Sequence, residues 1–110
     1  MNALTAAWTV LIVAGLFEIA WPIGLKMSQS PGQAITGIVV AVVGMGVSGW
    51  LLWLAQKQIP IGTAYAVWTG IGAAGAFFVG IWIYKDPASL MRFLGVALIV
   101  GGVIVLKVSH

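Results

Sequence analysis

The 110-residue chain has no cysteine, which excludes disulfides and thiolate metal sites. It is almost as poor in charge, with two acids, Glu18 and Asp86, and five lysines or arginines, 6% of residues in all. A soluble domain of this size could not cover its surface with so few charges. The apolar segments hold no second acid, base or nucleophile beside Glu18, so no catalytic constellation forms and the chain is not expected to be an enzyme. No cofactor or metal is expected either. The five basic residues stand singly, so the net charge of +3 is no nucleic-acid footprint and reads as anchoring to lipid headgroups. The in–out alternation of a membrane β-barrel is missing too. The first apolar run lacks a positive leader and carries Glu18, so it does not read as a cleavable signal peptide.

What the chain does have is apolar length: 62% hydrophobic residues and a mean hydropathy of +1.13. A helix crosses a hydrocarbon core of roughly 30 Å with about 20 apolar residues. Four such runs fit, at about 4–25, 34–55, 61–84 and 88–106, joined by short turns at 26–33, 56–60 and 85–87. In lipid an unpaired backbone is prohibitive, so each run reads as a helix. The expected fold is an all-α integral membrane protein, one domain of four transmembrane helices over 1–110.

Small residues recur at helix-packing spacing: Gly44 with Ser48, Gly72 with Ala76 and Gly80, and Ala97 with Gly101. In the fourth span Gly95, Ala97, Gly101 and Gly102 form a face read as a dimer contact, because four short helices enclose little volume alone. Trp8, Trp50, Trp53, Trp82 and Tyr84 lie near span ends and read as interfacial or lipid-facing. With the N-terminus inside, Lys57 and Lys107 are inside and Lys26, Lys85 and Arg92 outside. That bias is too small to fix orientation, and it suits either a noisy rule or a chain that inserts both ways and pairs antiparallel. His110, at the C-terminus, reads as solvated.

Of the two acids, Asp86 lies in a turn between Lys85 and Pro87 and reads as a solvated loop residue. Glu18 lies about two-thirds along the first span, where a carboxylate costs several kcal/mol, about 3 on insertion scales. No lysine or arginine in the spans could pair with it. It is either a neutral Glu hydrogen-bonded to another helix or a functional group. Removal from water favours a protonated carboxyl, whereas a nearby cation favours the ionised one. Proton and cation would then compete for one group, the minimum for coupled antiport. Gly15, Trp21 and Pro22 fall on the same side of the helix as Glu18. Trp21 could donate its indole N–H to the carboxylate or offer a ring face to a cation. Pro22 cannot donate to the carbonyl of Glu18 and weakens the helix there. On the third span Tyr65 and Trp68 are a second aromatic pair, deep enough to line a cavity. Ser48 is either a hydroxyl partner for Glu18 or a back-bonder to its own helix.

At these residues the sequence resembles the small multidrug resistance family of bacterial transporters, over nearly its whole length. Pro60-Ile61-Gly62-Thr63-Ala64-Tyr65-Ala66-Val67-Trp68-Thr69-Gly70-Ile71-Gly72 looks like the family's third-helix signature. Gly15-Leu16-Phe17-Glu18-Ile19-Ala20-Trp21, followed by Leu25-Lys26, is similar to the guanidinium-exporter branch. One departure is Pro22, which stands where a small residue such as alanine is expected. The resemblance implies a dual-topology antiparallel homodimer in the bacterial inner membrane, exchanging protons for a guanidinium-type cation by alternating access. By position, Glu18 would be the shared proton and cation site, and Trp21, Tyr65 and Trp68 would line the pocket. Ser48 would orient the carboxylate, Gly15 would leave space beside it, and Gly70 and Gly72 would bend the third helix. The alternatives are a polyspecific quaternary-ammonium or multidrug antiporter of the same family, one half of an obligate heterodimer, and a non-transporting membrane subunit.

Overall fold

The computed structural model describes residues 2–109, so His110 lies outside the described residues. Four helices follow in order: α1 (Ala3–Ser28), α2 (Ala34–Ala55), α3 (Ile61–Tyr84) and α4 (Leu90–Ser109). All four are long and apolar enough to cross a membrane. The expected bounds of the second and third spans are those observed. α1 runs on to Ser28 because its last turn, although polar, still forms helical bonds and closes on Gln29. α4 begins at Leu90 and not at Ala88, because Ser89 caps it: the Ser89 hydroxyl accepts the Arg92 N–H at 3.2 Å. At the other end of the chain, the Asn2 side chain caps α1 by accepting the Thr5 N–H at 2.8 Å. Pro22 lies inside α1 without interrupting it, and α3 is continuous through Gly70 and Gly72.

α1 is the centre of the arrangement, packing on both α2 and α3, while the backbone of α4 approaches only α3. The α1–α2 contact is a crossing at backbone distance. A Cβ built on Gly24 would stand 2.5 Å from the Ala41 nitrogen and 2.6 Å from the Gly37 carbonyl oxygen. One on Gly37 would strike the Ser28 nitrogen and the Gly24 oxygen. Further along, Gly44 admits the Ala20 methyl, whose carbon lies 2.9 Å from the missing Cβ. Glycine is required at Gly24 and Gly37 because two helices touch there through their main chains.

The apolar core sits at the other end of α1, where Trp8 and Leu11 pack against Ala55, Ile59, Ala64 and Val67. Trp8 is only 6% exposed, so it is a core residue and not the lipid-facing one its position suggested. Trp50, Trp53 and Trp82 are exposed as expected. Charges at the helix ends lie over rings: Lys57 over Trp53 at 4.4 Å, Lys107 over Trp8 at 5.4 Å and Arg92 over Phe77 at 5.2 Å. The small residues expected to pair in a dimer fall on two sides of α4, Gly95 with Gly102 and Ala97 with Gly101; nothing lies within 4 Å of a Cβ at the three glycines, and Ala97 is exposed.

Candidate functional site

Glu18 is half-buried on the face of α1 that looks toward α3. The Trp21 indole N–H, one turn on, donates to its Oε1, the first of the two roles open to Trp21. Space for the acid comes from α3. A Cβ on Gly72 would lie 2.5 Å from Glu18 Cγ, so only glycine lets the side chain cross there. Around the carboxyl is a cavity of about 360 Å³, lined on the α1 side by Glu18, Trp21 and Pro22. Tyr65, Trp68, Thr69 and Gly72 face it from α3, and Met45 reaches in from α2. The Tyr65 and Trp68 rings lean together, with centroids 5.5 Å apart and an interplanar angle of 45°.

Ser48 is fully buried but does not touch the carboxylate. Its hydroxyl donates to the Ala14 carbonyl at 2.6 Å and accepts the Trp68 indole N–H at 2.7 Å. A single hydroxyl thus ties α3 to α2 and α2 to the turn of α1 just before Glu18. Neither reading of Ser48 from the sequence anticipated this, since both its partners come from other helices. The bond from the Trp68 N–H to Ser48 orients that ring on the wall of the cavity.

The glycines divide differently from expectation as well. Gly15 leaves room for Ile71 and not for Glu18, because its Cβ would lie 2.8 Å from Ile71 Cβ and Cγ2. Gly70 admits Val103 of α4, which lies 2.6 Å from the missing Cβ. Gly72, expected at a helix bend, is the glycine that faces the acid. Thr69 and Met45 were missed. The first has a signal in hindsight, since it follows Trp68 and stands four residues after Tyr65, on one side of the helix. The second has none: Gly44 and Ser48 mark the packing face of α2, and Met45 stands beside that face and not on it.

Ser48→Ala should cost about 1–3 kcal/mol, since a buried donor and a buried acceptor lose their partner. Gly46→Ala, at a position where a Cβ meets nothing within 4 Å, should stay within about 0.5 kcal/mol. Equilibrium unfolding in mixed micelles would check both.

A lone carboxylate in an aromatic-lined cavity, set within four membrane-crossing helices, defines a membrane carrier for a cationic solute. The comparisons bear on this directly. The family model described as Small Multidrug Resistance protein matches residues 6–99. A guanidinium exporter of Escherichia coli K12 is 48% identical over 103 residues, covering 94% of this chain and 97% of that protein. Guanidinium exporters of Yersinia pseudotuberculosis and Salmonella typhimurium are 47% and 44% identical over the same length, covering 94% of this chain and 98% and 97% of theirs. The chain belongs to the small multidrug resistance family of transporters. It is a multi-pass protein of the bacterial inner membrane, and not an enzyme.

Proposed function

We propose that this protein exports guanidinium and small substituted guanidinium cations in exchange for protons. The observation that carries the reading is the Glu18 carboxyl, held by the Trp21 N–H in a cavity walled by Tyr65 and Trp68. Guanidinium is planar, and its paired N–H donors match the two oxygens of a carboxylate. Its flat faces stack on aromatic rings. Of the two Glu18 oxygens, Oε1 already accepts from Trp21, which leaves lone pairs on both for such a fork. A cation without donors would leave this polar set unpaired, which is the basis of discrimination. The printed names of the relatives, guanidinium exporters at 44–48% identity, support the same substrate class.

The working unit in this reading is an antiparallel homodimer. Supporting it are the open small-residue positions of α4 and a cavity that one chain leaves unclosed on one side. The basic residues, two on one membrane side and three on the other, give no strong preference for orientation. A proton entering on one side releases the cation, and the cation entering on the other displaces the proton. α3, with glycines at 70 and 72, is the helix proposed to bend as the pocket changes its access.

Uptake into proteoliposomes under a proton gradient, with guanidinium beside a tetraalkylammonium drug, tests the proposal. Guanidinium transport at least tenfold faster than drug transport is expected, in line with a site built on donors that rejects a ligand lacking them, for which discrimination reaches about 10⁴. Transport of the drug alone would assign the chain to the polyspecific branch of the family. Tags at each terminus, both reachable from both membrane sides, are the result expected for dual insertion.

A further inference from the structure

A second hollow of about 250 Å³ opens beyond the Glu18 cavity, between the end of α1 and the end of α3. Pro22 and Ala76 line both spaces, so the two are contiguous. Lys26, Tyr84 and Asp86 line the outer one. Asp86 is exposed, but its carboxylate is not simply solvated. Lys85 ends α3 in the left-handed conformation (φ 60°, ψ 33°), and the N–H groups of Lys85 and Asp86 both donate to the Gly80 carbonyl. This turn folds the Asp86 side chain back over the last turns of α3. Its Oδ2 lies against Gly80, on the spot a Cβ would occupy. Across the same hollow the Lys26 ammonium sits over the Tyr84 ring, 5.9 Å from the centroid.

We propose that this hollow is an outer binding station for the transported cation, with Asp86 taking its N–H donors and Tyr84 its flat face. The Lys26 ammonium holds the Tyr84 ring face, from which an arriving cation displaces it, and makes no ion pair with Asp86. The inference rests on the guanidinium reading above. Its basis is a repeated chemistry, since a carboxylate beside an aromatic face is also the arrangement around Glu18. An exposed carboxylate binds weakly and under salt screening, which suits a site that must fill and then empty inward. It also raises the local cation concentration at the mouth of the Glu18 cavity.

The test is guanidinium uptake into proteoliposomes at graded substrate, for wild type, Asp86→Asn, Gly80→Ala and Lys26→Gln. Asp86→Asn should raise KM about fivefold, the size of one exposed charge contact, with turnover at saturation within about twofold. Gly80→Ala displaces the carboxylate and should reproduce that rise. Lys26→Gln should lower KM, and 0.5 M salt should shrink the Asp86→Asn effect. An unchanged KM in Asp86→Asn beside an active wild type would overturn the station and leave the Glu18 reading standing. Lower turnover at unchanged KM would overturn it too, leaving Asp86 to the turn alone. If Asp86→Asn does not fold, an unchanged or raised KM in Lys26→Gln is the overturning result. A wild type that moves no guanidinium would remove the substrate reading and the station with it.

Discussion

Glu18→Gln is expected to abolish guanidinium-coupled proton movement, reducing it in proteoliposomes to the level of protein-free vesicles. The substitution is nearly isosteric. Its amide oxygen can still accept the Trp21 N–H, and the side chain still fits over Gly72, so the helices should assemble as before. What disappears is the only acid inside a span, and with it the one group for which, in the proposed exchange, a proton and a cation compete. A carrier without that competition has no thermodynamic link between the two fluxes, however well its pocket packs. Proton release measured on adding guanidinium to protein in detergent reads the same loss without a membrane. Release above one tenth of wild type would mean that another group carries the proton, and Asp86 is the only other acid.

The second large effect belongs to the α1–α2 crossing. Gly37→Val should leave no monodisperse protein on size exclusion in detergent, a loss beyond the 1–3 kcal/mol usual for overpacking. Overpacking is normally relieved by a side chain changing rotamer. Here the added carbon meets the Ser28 nitrogen and the Gly24 oxygen, both main-chain atoms of a helix that cannot yield locally. α1 and α2 would have to separate along their shared length, and with them Ser48 would leave Ala14 and Trp68. Gly46→Val is the control: it lies on the same helix, where a Cβ meets nothing within 4 Å, and should remain folded. Equal behaviour of the two variants would show that the crossing tolerates opening.

Comparison of Gly15, Gly70 and Gly72 shows where reading from sequence alone runs out. All three stand in motifs that pointed to the site, and a Cβ at each would come within 3.0 Å of a side chain on another helix. Only Gly72 meets Glu18; the others meet Ile71 and Val103. The spacing identified residues that must be small, without saying which neighbour makes them so. Ser48 follows the same pattern: the residue was singled out for Glu18 and is bonded to Ala14 and Trp68. Trp8 was misplaced because aromatic position along a span does not distinguish a core ring from an interfacial one. Asp86 was read by its turn residues, and its direction depends on a left-handed Lys85 that no neighbouring residue signals.

The amino-acid sequence by itself determined the number of spans, the bounds of α2 and α3, and the singular position of Glu18. Those follow from hydropathy, length and the cost of burying a charge, which are properties of a segment taken alone. The tertiary structure decided how each helix is rotated about its axis, and so what faces the acid, what Ser48 joins and where the second hollow opens. A soluble helix announces its rotation through a polar stripe. These four helices are apolar nearly all round. Lipid and protein neighbours are chemically alike to them, so rotation is set by close packing between chain segments, of which small-residue spacing marks the contact side and not the partner.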